Sequence, residues 1–291
     1  MTLSDNATGA LWMCASTIGF VCNDALMKSL AGEVPLFQAI LIRGLLASAL
    51  ITLLAWRAGA LRARPDARNR RVIGWRMAGE IGATTLFLTA LFNMPLANVT
   101  AIIQAAPLTI TLTAALFLAE PVGWRRYLAA IVGFAGVLLI VRPGTEGFNI
   151  YALVALAAVI FITLRDLSTR ALSREVPSLL VTMATAISIT LVAAVVTAIR
   201  GWEPVETSAA LRLFGAAGFL LLGYHAGVLC MRIGEVGVVS PFRYTNLIWA
   251  LILGWAFFGD LPSWLTLLGA AIVVSMGLYT LHREARIRKK A

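Results

Sequence analysis

Asp24 to Pro35 reads DALMKSLAGEVP, and Asp166 to Pro177 reads DLSTRALSREVP. Asp, Leu, Glu, Val and Pro recur at the same spacing, and Lys28 becomes Arg170. In both stretches a long apolar run ends in Asp, a basic residue follows four positions later, and Glu-Val-Pro precedes the next apolar run. Residues at i and i+4 share one helix face, and Pro suits the first turn of a helix. Each copy therefore predicts a helix end, a tight loop and a helix start.

The register continues far beyond the loop. Glu120 falls on Asp260, Trp124 on Trp264 and Leu128 on Leu268, so that LFLAEPVGW echoes AFFGDLPSW. Self-similarity at an offset of about 140 residues marks a duplicated unit. The first repeat spans 1–145 and the second 146–291.

Of the 291 residues, 60% are hydrophobic and 13% charged, a balance outside that of soluble domains. Apolar runs of about 20 residues, enough to cross the hydrocarbon layer, recur along the whole chain. The fold class is an all-α polytopic membrane protein. Ten helices are predicted, at 7–30, 35–57, 73–93, 97–118, 125–141, 148–170, 177–199, 211–232, 237–258 and 264–282. The net charge of +10 is explained by basic residues on one membrane face and requires no nucleic acid. Cys14, Cys22 and Cys230 lie in apolar segments without paired or metal-ligand spacing, so no metal and no cofactor are expected. Asp5 and the lack of a basic leader argue for a retained first helix rather than a cleaved signal.

Most of the 24 Lys and Arg residues fall on one face. They include Arg62, Arg64, Arg68, Arg70 and Arg71 in the 58–72 loop, and the tail from Arg283 to Lys290. The positive-inside rule makes that face cytoplasmic, with both termini inside, in a bacterial inner membrane. Five helices per repeat is an odd number, so the two copies must be inserted in opposite senses. The loop after Glu120 reads WRR with Arg125 and Arg126, whereas its partner after Asp260 reads WLT. Loss of the arginines is what opposite insertion demands. An inverted repeat places a substrate site near the midplane, between the halves.

The duplicated five-helix halves, the loops LAEPVGW and GDLPSW, and the Gly-rich closing helices GFAGVLLIVRPG and GAAIVVSMG resemble tandem EamA domains of the drug/metabolite transporter (DMT) superfamily. Among them the chain looks most like the YddG-type amino-acid exporters. Members of the superfamily export amino acids or drugs, or import riboflavin, S-adenosylmethionine or carboxylates. The resemblance implies a central cavity lined by the first, third, fourth, sixth, eighth and ninth helices, with the fifth and tenth at the periphery.

Ionisable groups inside a bilayer are costly and are candidates for function. Asp24 and Lys28 lie near one end of the first helix, and Asp166 and Arg170 at the mirrored end of the sixth. These read as gating or structural pairs, or as substrate contacts. Arg43 in the second helix lies at a depth from which it can pair with Asp24. Glu80, seven residues into the predicted third helix, matches Arg243 of the ninth in depth, so a Glu80–Arg243 contact could close the cytoplasmic side. Alternatively Glu80 could carry a proton, as could His225, which otherwise is a structural residue.

The fourth and ninth helices are the most polar. Thr100 and Gln104 align with Ser240 and Tyr244, and these four are candidate cavity residues together with Thr84. Pro107 and Pro241 each remove a helix hydrogen bond and should bend their helices. Trp12, Phe87, Tyr224 and Trp249, with Tyr244, either form an apolar pocket or face lipid. The GFAG and GAA stretches allow close helix approach.

No P-loop, HExxH or GxSxG occurs, so neither ATP hydrolysis nor an enzyme is indicated. The reading is a secondary transporter exporting amino acids, aromatic ones included, or similar small metabolites by alternating access. Its partners would be a small-molecule substrate and the lipid bilayer, in a monomer or weak dimer. Alternatives are import of a larger metabolite such as riboflavin, S-adenosylmethionine or a nucleoside-like compound, and drug efflux.

Overall fold

The computed structural model describes residues 5–117, 124–142, 149–173, 175–233 and 236–288; Glu120 lies outside them. The helices are α1 (Asp5–Lys28), α2 (Leu36–Arg57), α3 (Ala67–Asn93), α4 (Leu96–Ile103), α5 (Ala106–Phe117), α6 (Trp124–Val141), α7 (Tyr151–Ala171), α8 (Ser178–Arg200), α9 (Thr207–Ile233), α10 (Val236–Val239), α11 (Thr245–Phe258) and α12 (Trp264–Arg288). Two 3-10 turns, Ala60–Arg62 and Ser240–Tyr244, complete the set. Five of the helices, α1, α2, α7, α8 and most of α9, are long and apolar enough to cross a membrane.

These elements form ten spans. The two duplicated loops behave alike: α1 ends with DALMK at Lys28 and α7 one residue after DLSTR, at Ala171, and α2 and α8 begin immediately after Pro35 and Pro177. Two expectations change. Helix α3 starts at Ala67 rather than 73, because Asp66 caps it by accepting from the Asn69 backbone N–H at 2.8 Å. The fourth and ninth spans are broken rather than merely bent. The fourth stops at Ile103 and restarts at Ala106; the ninth passes through the 3-10 turn Ser240–Tyr244. Pro107 and Pro241 each lack the N–H that a continuous helix needs, and the Ala105 N–H turns to the Ile102 carbonyl at 3.0 Å instead. Gln104 and Tyr244 thus stand at repeat-related breaks.

Packing follows the repeat. The first span (α1) lies on the eighth (α9), and the third (α3) on the sixth (α7). Exchanging the two repeats converts one of these pairs into the other. The second packs on the seventh, the fourth on the ninth and the fifth on the tenth, pairs that the exchange maps onto themselves. Such a pattern is that of a two-fold axis relating the halves.

Glycines set the closest approaches. A β-carbon at Gly19 would lie 2.8 Å from the Gly223 backbone nitrogen, so α1 meets α9 backbone to backbone. At the fifth–tenth contact a β-carbon on Gly136 would lie 2.8 Å from the Gly269 carbonyl. The GFAG and GAA stretches therefore join α6 to α12, as small residues do between membrane helices.

The main apolar cluster is lopsided. Val21, Leu30, Ile40, Leu88, Leu91 and Leu213 belong to it, all on the helix halves away from the arginine-rich face. On the arginine-rich side a small satellite gathers Met13, Cys230 and Val239, with Trp12 against them.

Candidate functional site

Ion-pairing and polar side chains converge where α1, α2, α3, α7 and α9 meet. Toward the opposite face, Arg43 Nη1 donates to Asn23 Oδ1 at 3.0 Å, and Asn23 Nδ2 donates to Asp24 Oδ1 at 2.9 Å. Asn23 thus relays between the guanidinium and the carboxylate, and no direct Arg43–Asp24 ion pair is formed among the described residues. Arg43 is 8% exposed, and its Nε is buried without a partner. A buried donor left unmade costs about 1–3 kcal/mol, so this group is poised for an acceptor.

Nearer the middle, Glu80 stands 13 positions from either end of α3, about 20 Å from each at helical rise. Its carboxylate lies 3.6 Å from Arg165 Nη1 and 3.8 Å from Arg76 Nη1, both ionic distances too long for a hydrogen bond. Arg165 Nε also donates to Asp166 Oδ1 at 2.8 Å, so one arginine bridges two carboxylates. Thr84 donates to Glu80 Oε1 at 3.4 Å. Tyr224 completes the group: its ring meets Phe20 edge-on at 5.3 Å. Tyr224 is 41% exposed although it sits inside α9.

Other sequence-selected residues stand apart. Lys28 does not pair with Asp24; its Nζ donates to the Met94 and Leu91 carbonyls at 2.8 and 3.4 Å, five-odd ångströms above the Phe258 ring (5.3 Å). The Glu80–Arg243 contact is not made, because Glu80 is taken by Arg165 and Arg76 and Arg243 is exposed. Arg170 and His225 are exposed too. Tyr244 is buried with its hydroxyl against Gly277 of α12, away from the central group, and that hydroxyl lacks a partner. Phe87 and Trp249 pack on the main cluster, and Trp12 on the satellite. Thr100 is buried, Ser240 opens the 3-10 turn, and the Gln104 amide nitrogen is buried without a partner.

The residues that sequence reasoning passed over are Asn23, Arg76, Arg165 and Phe20. Arg165 adjoins Asp166, and charge inside an apolar run was the available signal. Asn23 gave none, since its role depends on a neighbour 20 positions away.

Discontinuous helices at matched positions around buried charge are a transporter arrangement. The EamA-like transporter family matches residues 7–142 and again 149–280. The chain belongs to that family. Among relatives of this EamA-like transporter, the pseudopaline exporter CntI of Pseudomonas aeruginosa is 26% identical over 286 residues, covering 94% of this chain and 96% of that protein. A riboflavin transporter of Vibrio cholerae is 27% identical, covering 91% and 90%. An S-adenosylmethionine uptake transporter of Rickettsia felis is 25% identical, covering 96% and 94%. A solved crystal structure superposes with a TM-score of 0.65 at 21% identity, over 96% of this chain and 99% of its own, a likeness of fold. The chain is a membrane transporter of small metabolites.

Proposed function

We propose that this transporter moves amino acids or amino-acid derivatives, exporting them across a bacterial inner membrane by alternating access, with the arginine-rich face cytoplasmic. The observation that carries this is the Arg43–Asn23–Asp24 relay with its unpaired Nε. An α-carboxylate complements the spare Arg43 donor in charge and geometry, and an α-ammonium complements Asp24. Above them, Tyr224 and Phe20 offer aromatic surface to a side chain, and Glu80 with Arg165 offers both signs of charge to a larger polar one.

One kind of relative supports a substrate built on an amino acid, being named for S-adenosylmethionine, a methionine derivative. Gln104 and Ser240, at or beside the breaks, remain candidates for the cavity rim, with Thr100 and Thr84. Proteoliposomes preloaded with labelled amino acids, riboflavin or S-adenosylmethionine, with and without a pH gradient, test the proposal. Saturable flux of one or more amino acids or of S-adenosylmethionine is expected, reduced at least about tenfold by Arg43→Gln. Flux of riboflavin alone, unaffected by Arg43→Gln, would assign the chain to flavin transport instead.

A further inference from the structure

The repeat extends into the third and eighth spans. Arg71-Val-Ile-Gly74 matches Arg212-Leu-Phe-Gly215, and Gly82 matches Gly223. Arg71 is therefore the counterpart of Arg212, and by the loop register Glu175 is the counterpart of Glu33. On the face opposite the arginines this pair is joined. Arg212 Nη2 binds the Glu33 carboxylate, and Nη1 donates to Glu33 Oε1 at 3.1 Å and to the Ser29 carbonyl at 2.8 Å. These bonds fasten the start of α9 to the loop after α1.

On the arginine-rich face the matching pair stands open. Arg71 and Glu175 are both exposed, and no ion pair joins them among the described residues. A groove of about 610 Å³ lies between the loops, with Arg64, Arg68 and Asn69 on one side and Leu172, Glu175 and Val176 on the other; one hydrogen bond crosses it, from the Ser173 backbone N–H to Asn69 Oδ1 at 3.1 Å. A second matched pair behaves alike: Lys28 holds the Met94 carbonyl on the closed side, whereas Arg170 is exposed. The main apolar cluster also lies on the closed side.

We propose that Arg71 and Glu175 are the unformed half of a reciprocal clasp. In the alternate conformation Arg71 binds Glu175, the groove closes, and Arg212 releases Glu33. The repeat symmetry makes the two clasps exclusive, so each stabilises one of the two conformations. The inference rests on the alternating-access reading but not on the substrate.

The full chain in lipid nanodiscs tests it, with Cys14, Cys22 and Cys230 replaced by alanine and Ser173→Cys as a reporter in the groove wall. Arg212→Gln removes the formed clasp and should slow maleimide labelling of the reporter about two- to fivefold, the shift that one exposed ion pair can drive. Adding Glu175→Gln removes both clasps and should return labelling to the starting rate. Unchanged labelling in Arg212→Gln, or a double variant as slow as the single one, overturns the proposal. Independently, Arg71→Cys with Glu175→Cys should form an oxidative cross-link that locks the groove shut; no cross-link under oxidation also overturns it. Labelling needs no substrate, so it can succeed while the amino-acid assay fails, or the reverse.

Discussion

At the scale of single residues, charge in the bilayer was legible and its pairing was not. Asp24, Arg43, Glu80 and Asp166 stand out in apolar runs, yet their partners are fixed by helix rotation, which sequence spacing leaves open. Glu80 meets Arg165 rather than Arg243 because α3 packs on α7, and it meets Arg76 one helical turn back on α3 itself. Glu80→Gln leaves two guanidinium groups facing each other without a carboxylate between them. Transport should fall at least about tenfold, and Glu80→Asp should keep it. Reconstituted flux checks this, and wild-type flux in Glu80→Gln would show that the carboxylate is not needed for transport. The repeat position of Tyr244 points to the cavity, but its hydroxyl lies against Gly277 and is unpaired. Tyr244→Phe removes a buried unsatisfied group, so thermal stability in detergent should hold or rise with flux retained. Loss of flux with retained fold would return Tyr244 to the cavity.

At the scale of elements, the ten spans could be read from hydropathy and the duplicated loops because those signals are local. The breaks in the fourth and ninth spans were signalled by Pro107 and Pro241, although how far the helix unwinds depends on the neighbouring spans. The start of α3 was missed because arginines look like loop; Asp66 caps a helix whose first turns are solvated. Glycine contacts give the sharpest test at this scale. Gly136→Leu drives a side chain into the Gly269 carbonyl and Ile272 and should destabilise by about 1–3 kcal/mol through overpacking. Gly218→Leu, at a position with nothing within 4 Å of an added β-carbon, should not. Thermal unfolding that ranks these two variants equally would contradict the α6–α12 contact.

At the scale of the whole molecule, two copies of a five-span unit enclose a polar centre and are shut on one side by apolar packing and by the Lys28 and Arg212 contacts. The Arg212 hydrogen bond holds the Glu33 carboxyl below its ordinary range. A depressed folded-state value means that the clasp is stabilising at neutral pH and above the ordinary glutamate value of about 4.3. Its contribution is lost as pH falls through Glu33's own titration. Accessibility of the mouth between α1 and α9 should therefore rise below about pH 4 in the wild type and be pH-independent there in Glu33→Gln, as read by hydrogen exchange. The duplication was legible because it rests on register; which side is closed was not, because it depends on contacts between distant residues such as Arg212 with Glu33. The central claim is that a charged solute binds between the halves on Arg43 and Asp24. Its most direct test is the heat stability of purified protein over an amino-acid panel, compared with Arg43→Gln. Saturating substrate should raise the wild-type midpoint by about 5 °C and leave Arg43→Gln unmoved; equal stabilisation of both proteins would contradict the account.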